Sequence, residues 1–595
     1  MRLPGESPYN RGPLFSLHIH ACLLIALSWQ AAFIADTAWA APVVGVSVEG
    51  VGGPLLANVL AYLSIEQRKN DPDLSEELIR GLYEKSPGEI RSALQAFGYY
   101  RPDIRSELIK QDGRWLAGYR IEAGAPVRIR DVNLVITGAG AGNPQLEKAA
   151  ESFPLKKGGV LLHGPYEKAK QDLQGTAIDE GFLDAQFPLH RITVHLREYY
   201  ATIDLHLDTG PLYRFGEVSF RQDILRPEFL GRFVPFRKGD PYRTSKLLEL
   251  QDALTASDYF RQVEVKPRRD LARDLVIPVE VDLTPQKRQK YTFGLGYGTD
   301  TGFRGILGWE NRRVNRKGHR FSTELRLSQI QRNFSARYII PMKRPATDHL
   351  DFTAGLFHES TSVYRTETRM IGTSRSILRG SWQQTFYLNL QKEKFTIDDE
   401  SGSSTLLLPG TSWTRIKADN RVFTTRGSRL VLGVRGADKT LLSSTSLIQF
   451  RSNFKFIRSP WDTGRIILRG DFGVTWVRDF PRLPASLRFF AGGDQSVRGY
   501  GYRTLGPMNA EGKVIGGRHL VVGSFEYDQR IYKKWGAAVF YDVGNALNKL
   551  SDPLKHGAGI GLRWRSPVGM VRLDFARALS ERNRWHIHIN IGPDL

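Results

Sequence analysis

The chain has 595 residues, more than one ordinary hydrophobic core organises, so several domains are expected. Its formal net charge of +22 points to nucleic acid, anionic lipid or lipopolysaccharide as partners. No nucleic-acid module is recognisable, which favours membrane surfaces. The single cysteine, Cys22, lies in a targeting segment and excludes disulfides, thiol chemistry and a cysteine metal site from the mature chain.

The first forty residues, 1–40, read as a secretory signal peptide. Arg2 and Arg11 are basic, Leu14 to Phe33 is largely apolar, and Ala38-Trp39-Ala40 is an A-x-A site with cleavage expected before Ala41. The competing reading is an uncleaved anchor, because the apolar run is somewhat long. Beyond it no run of about 18 apolar residues occurs, so a membrane would be met without transmembrane helices.

Residues 41–285 read as three repeats of an α+β unit, β-α-α-β-β, over 41–125, 126–211 and 212–285. In the first, Val43 to Val48 is a short strand, and Leu56, Val59, Leu60 and Leu63 share one helix face. Ser86-Pro87-Gly88-Glu89 has the pattern of a capping box and predicts a second helix start. Helix ends recur at Gly98, Gly181 and Asp258, about eighty residues apart. Each unit would carry an open strand edge able to accept an extended segment; rigid spacing is the plainer role, and both can hold together.

From residue 286 the apolar period changes to two. Tyr291, Phe293, Leu295 and Tyr297 alternate with Thr292, Gly294, Gly296 and Gly298, and Trp585, Ile587, Ile589 and Ile591 alternate with His586, His588 and Asn590. Charged residues opposite apolar ones, strand after strand in an exported chain, predict a transmembrane antiparallel β-barrel with a wet lumen over 286–595. At roughly 19 residues per strand and connection it holds about 16 strands.

One stretch breaks the alternation. Arg488 to Pro507, RFFAGGDQSVRGYGYRTLGP, is too rich in glycine for a strand and carries its own aromatic surface. It falls between the eleventh and twelfth strands, in a sixth outside loop of about residues 480–516. The strands that follow aim Glu526 and Asp542 at the same lumen. An arginine fork at Arg498 could pair with one or both, with Gly499 and Gly544 leaving room and Phe540 and Tyr500 packed around it. The plainer alternative is that these carboxylates only line a polar lumen.

The Ser496-Val497-Arg498-Gly499-Tyr500 element, followed by Phe540-Tyr541-Asp542-Val543-Gly544 as F-x-D-x-G, resembles the POTRA–barrel outer-membrane assembly superfamily that contains BamA and TamA. The resemblance covers residues 43–595. Three POTRA units, the length and the ending Ile591-Gly592-Pro593-Asp594-Leu595 are most similar to its TamA branch. It implies contact of Arg498 with Asp542, with Glu526 nearby. It also implies periplasmic POTRA domains docking a TamB-like, inner-membrane-anchored partner. The outer-membrane barrel would assist assembly of autotransporters or other β-barrel substrates, and phospholipid delivery is a second role.

The seam between the first and last strands reads as weak. Gly294, Gly296 and Gly298 thin the first strand, and Ile589, Ile591, Gly592 and Pro593 end the last on a residue with no N–H to donate. The inward loop is expected to brace the late strands while the seam opposite stays easy to open. A two-partner-type secretion pore and a BamA-like general assembly factor are the competing functions. An enzyme is not expected, since there is no G-x-S-x-G elbow, H-E-x-x-H or P-loop. His586 and His588 read as lumen polar residues, and no metal or cofactor is expected.

Overall fold

The computed structural model describes residues 44–595 apart from Val568, Asn583, Pro593 and Leu595. The signal-peptide reading and the Pro593 part of the seam therefore lie outside the described residues. The chain forms two compact units, one ending at Leu212 and one beginning at Tyr213.

The first unit holds two α+β domains. In the first, β1 (Val44–Glu49) is followed by α1 (Gly53–Tyr62), α2 (Ser64–Arg68) and α3 (Glu76–Gln95), then β2 (Asp103–Gln111) and β3 (Arg114–Glu122). β3 is central, parallel to β1 and antiparallel to β2. Its Trp115, Ala117, Tyr119 and Ile121 are buried with Ile79, Leu82, Ile90 and Leu94 of α3. The second domain repeats the plan with β4 (Arg128–Thr137), α4 (Pro144–Glu151), α5 (His163–Asp179), β5 (Gln186–His195) and β6 (Tyr200–Asp208), in the order β4-β6-β5.

The capping-box expectation at Ser86 is corrected. The long helix starts at Ser75, whose hydroxyl accepts from Leu78 N at 3.2 Å, and it runs through Pro87 without stopping. Its apolar period is unbroken across the proline, so burial of that face outweighs one lost ladder bond. Ser86 is buried, donates to the Leu82 carbonyl at 2.9 Å and accepts from Tyr119 Oη at 2.8 Å. Burial pushes the Tyr119 hydroxyl up to about 12, so it stays a donor there. Glu89 instead caps α2, accepting from Ser64 N at 2.9 Å and Oγ at 2.5 Å.

The second unit opens with a third domain: β7 (Arg214–Arg221), α6 (Pro227–Leu230), α7 (Thr244–Ala256), β8 (Phe260–Pro267) and β9 (Val276–Pro285), with sheet order β7-β9-β8. The repeated helix stops Gly98, Gly181 and Asp258 all have left-handed backbone, with φ of 88°, 97° and 60°.

This domain docks on the turn between the second and third barrel strands. Tyr259 Oη donates to the Gly318 carbonyl at 2.5 Å, Arg312 Nε reaches Asp258 Oδ2 at 2.8 Å, and Arg226 N donates to the Arg316 carbonyl at 3.0 Å. Tyr259 is buried, which pushes its hydroxyl up to about 12. Tyr259→Phe leaves the Gly318 carbonyl without this partner and is expected to loosen the docking by about 1 kcal/mol. Hydrogen exchange should rise several-fold in β7–β9 and stay unchanged in β1–β6.

Sixteen strands then close an antiparallel barrel in sequence order. They are β10 (Gln289–Gly298), β11 (Gly302–Asn311), β12 (Arg320–Ser328), β13 (Gln331–Pro341), β14 (Asp348–Ser360), β15 (Tyr364–Arg379), β16 (Trp382–Ile397) and β17 (Glu400–Ala418). β18 (Arg426–Ala437), β19 (Leu447–Trp461), β20 (Gly464–Val477), β21 (His519–Tyr532), β22 (Trp535–Leu547), β23 (Lys555–Ser566), β24 (Gly569–Ala578) and β25 (Trp585–Gly592) complete it. The alternation does what a bilayer demands: Phe293 and Leu295 are 76% and 96% exposed on the outer face, while Glu526 and Asp542 are buried inside. Among the described residues no helix is long and apolar enough to cross a membrane. The connections at the end bearing the third domain include the two-residue turns 380–381, 462–463 and 533–534; the other end carries the 478–518 loop.

Candidate functional site: the inward loop and the seam

The loop from Arg478 to Arg518 folds into the barrel. Its apolar residues Phe489, Ala491, Val497, Tyr500 and Leu505 pack with Leu520, Val522, Ala546 and Ala578 of the late strands. Arg498 is carried to the centre of this cluster and is only 2% exposed. Asp542 on β22 takes its fork, at 2.7 Å from Nε and 2.9 Å from Nη2, and also accepts from Arg498 N at 3.0 Å. Arg498 Nη1 lies 2.6 Å from Glu526 Oε2 on β21 and 3.0 Å from Asp574 Oδ2 on β24. The guanidinium carbon stands 3.5 Å from the centroid of the Phe540 ring. One cation thus ties β21, β22 and β24 to the loop.

Gly499 turns the chain just after the fork, with φ of 95°. A Cβ there would come within 2.8 Å of the β24 backbone at Arg577 and Ala578. Its N–H donates to His588 Nε2 on β25 at 3.1 Å. The room that admits Arg498 is made by Gly557 on β23, where a Cβ would lie 2.0 Å from the Arg498 carbonyl oxygen. Gly544, expected to make that room, instead lies against the β21 backbone at Val521 and Val522. Tyr500 Oη donates to the His556 carbonyl at 3.2 Å, which holds the loop to β23 from a second point.

The site is larger than the residues expected to form it. Arg563 on β23 bridges Glu526 at 2.8 Å and Asp574 at 2.5 Å, and Arg465 on β20 bridges Asp528 at 2.6 Å and Asp594 at 2.7 Å. Arg469 approaches Asp542 at 3.8 Å, and Arg572 meets Asp594 at 2.6 Å. The five arginines Arg465, Arg469, Arg498, Arg563 and Arg572 therefore face the five carboxylates Glu526, Asp528, Asp542, Asp574 and Asp594. Such a network tolerates burial because each of the five carboxylates meets two arginines. Asp594 also accepts from Thr424 N at 3.0 Å, so the residue two beyond β25 is held inside the lumen. Among these partners, Asp528 was legible from its lumen parity on β21; Asp594 had no periodic signal.

The loop also crosses the lumen. Ser486 N donates to Glu393 Oε1 on β16 at 3.1 Å, and Arg503 reaches Glu359 on β14 at 3.1 Å. Leu483 and Leu487 pack on Leu406 and Leu408 of β17.

The seam is thin. β10 shares ten register pairs with β11, but among the described residues only Gly298↔Asn590 with β25. Two bonds just beyond it, Thr299 N to the Ile589 carbonyl and Ile589 N to Thr299 Oγ1, both 3.2 Å, complete the closure. Of the predicted seam residues, Gly298 and Ile589 meet there; among the described residues Gly294 and Gly296 pair with β11 alone, and Ile591 and Gly592 with β24 alone. The seam is not opposite the loop, as expected, but beneath it. Asp494 N donates to Asp300 Oδ2 in the β10–β11 turn at 2.6 Å, and Asn590 Nδ2 donates to Asp494 Oδ2 at 2.5 Å. The loop therefore clasps both sides of the one place where the barrel closes.

Residues 314–593 match the Omp85 superfamily domain, residues 45–123 a family described as POTRA domain TamA domain 1, and residues 213–284 a POTRA family described as a surface antigen variable number repeat. The chain is 22% identical over 568 residues to the outer membrane protein assembly factor BamA of Neorickettsia risticii, covering 87% of this chain and 71% of that one. It is 26% identical over 374 residues to BamA of Nitratidesulfovibrio vulgaris, covering 58% of this chain and 46% of that one. The crystal structure of BamA from Haemophilus ducreyi lacking POTRA domains 1–3 superposes with a TM-score of 0.64 at 16% identity, over 78% of this chain and 99% of the other.

Proposed function

The chain belongs to the Omp85 superfamily as a POTRA-bearing, BamA/TamA-like member, and on that premise we propose that it is a non-enzymatic factor for inserting β-barrel or autotransporter proteins through the β10–β25 seam. It is an outer-membrane protein with its POTRA domains in the periplasm. The end of the barrel bearing the third domain is then the periplasmic side, and the 478–518 loop enters from outside.

The observation that carries the reading is the free edge of β10. From Gln289 to Tyr297 it pairs with β11 on one side and with no strand on the other among the described residues. Unpaired backbone groups are costly in hydrocarbon, and an incoming strand supplies their partners by simple strand addition. The outer face of the same strand is apolar, so an added strand continues the lipid-facing surface. No bond chemistry is needed.

The POTRA sheets offer a further docking edge in β2, which among the described residues is paired only to β3. We assign to the POTRA domains a large, inner-membrane-anchored periplasmic partner of TamB type. Phospholipid delivery to the outer membrane is a second role for the same pair.

The test is reconstitution of the full chain in lipid vesicles with an unfolded β-barrel substrate. The substrate's conversion to the heat-modifiable, folded form should be at least several-fold faster than in empty vesicles. Equal rates would contradict insertion. A secretion pore instead predicts conductance that rises when Arg498→Ala frees the loop; conductance that stays negligible counts against it.

A further inference from the structure

The outer wall of β13–β16 carries a feature that strand insertion does not use. On its lipid-facing side Phe334, Ala354, Leu356, Ile371 and Leu390 line a cavity of about 470 Å³, with Arg369 and Lys392 at its rim. Phe334, Leu356 and Ile371 are 42%, 54% and 60% exposed, as side chains facing acyl chains must be. The apolar run ends abruptly at the two cations. On β16 the outward series reads Phe386, Leu388, Leu390 and then Lys392 and Lys394; on β15 Ile371 gives way to Arg369.

Arg369 and Lys392 are directly opposite each other in the β15–β16 register. Like charges in that position repel, and the pair persists only at a cost unless an anion lies between them. Neither has an ion-pair partner among the described residues. The nearby carboxylate Glu367 is opposite a different cation, Lys394, two residues further out. Arg332 on β13 adds another cation in the row that runs through His358 and Glu367 to Lys394. The strand directions place this rim in the outward half of the barrel: β15 descends from Tyr364 and β16 rises to Ile397.

We propose that this cavity and its rim form a binding site for the phosphorylated, multiply acylated glycolipid of the outer leaflet, with a lipid A phosphate bridging Arg369 and Lys392 and an acyl chain in the cavity. A point charge from lysine and a planar fork from arginine both suit a phosphate. The side of the membrane excludes the glycerophospholipid of the inner leaflet as occupant. The inference rests on the barrel spanning the outer membrane and not on insertion through the seam, so the two fail separately.

The experiment uses the full chain, purified and delipidated in detergent, with native mass spectrometry reading retention of added bis-phosphorylated lipid A, dephosphorylated lipid A or phosphatidylglycerol. The wild-type chain should retain one bis-phosphorylated lipid A. Retention should fall at least tenfold in Arg369→Ser/Lys392→Ser and with the dephosphorylated form. Ile371→Trp, which fills the cavity, should reduce it comparably. Heat-modifiable gel mobility checks folding, and Lys392→Thr serves if the double variant folds poorly. Equal retention by the wild type and the cation variants would overturn the site, as would equal retention of phosphatidylglycerol. Loss in the cation variants with no effect of Ile371→Trp would overturn the cavity as the acyl pocket.

Discussion

Arg498→Ala is expected to lower barrel stability by roughly 3–5 kcal/mol, because it strips the shared cation from Asp542, Glu526 and Asp574 at once. Asp542→Ala should cost less. Arg498 then keeps Glu526 and Asp574, although the loop loses the carboxylate that holds its backbone N–H. The double variant should fall well short of the sum, since both single changes remove the same Arg498–Asp542 contacts. Arg498→Lys should rescue only in part, because a single ammonium cannot reproduce a fork bonded to three carboxylates. The measurement is the urea midpoint at which the folded gel mobility is lost. Strict additivity would mean that the two residues do not act together. The loop also clasps the seam through Asp494, so Arg498→Ala should raise hydrogen exchange in β25 as well as in β22.

The second large effect is expected at the seam itself. Gly298→Cys with Asn590→Cys places two cysteines at the register pair that joins β10 to β25 among the described residues. Oxidised, this pair should reduce substrate insertion in the vesicle assay at least tenfold, with recovery on adding reductant. A control pair within the wall, Thr373→Cys with Leu388→Cys, should leave the rate unchanged when oxidised. The asymmetry has a physical basis. Opening β15 from β16 breaks sixteen register pairs, while among the described residues opening the seam breaks one pair, two flanking bonds and the Asp494 bridge. The seam is thus the place where an edge can be exposed at small cost.

Much of this architecture was legible because strands and helices leave different periods. The alternation Tyr291-Phe293-Leu295 and the lumen parity of Glu526 and Asp542 are local facts, and sixteen strands follow from segment length. The glycine-rich loop stood out because it fits neither period. What escaped the sequence are the long-range matches. Asp574 and Arg563 lie on strands whose parity gives their side of the wall but not their height, and height depends on the barrel's stagger. Gly557 rather than Gly544 admits Arg498 for the same reason. The reach of the loop to Glu359 and Glu393 depends on how it crosses the lumen, which no spacing encodes. Pro87 misled because a proline–glycine pair marks helix ends more often than it sits inside a helix whose apolar face continues past it.

The loop's position changes the picture of the resting barrel. Asp494 holds the β10–β11 turn and Asn590 together just where the backbone pairing is thinnest. The same loop is anchored deep in the wall by Arg498. Bracing and latching are then one device: the anchor fixes the late strands, and the tip controls the first and last.

The most direct test of strand addition at β10 is cross-linking along that strand during insertion. Cysteines placed one at a time at Thr292, Gly294 and Gly296 should each form disulfides with cysteines in one edge strand of an arriving substrate. The efficient partner should move by two residues for every two along β10, as antiparallel or parallel pairing requires. Cross-links that show no such register, or that form only with cysteines introduced at lumen positions such as Gln449, would contradict insertion through the seam.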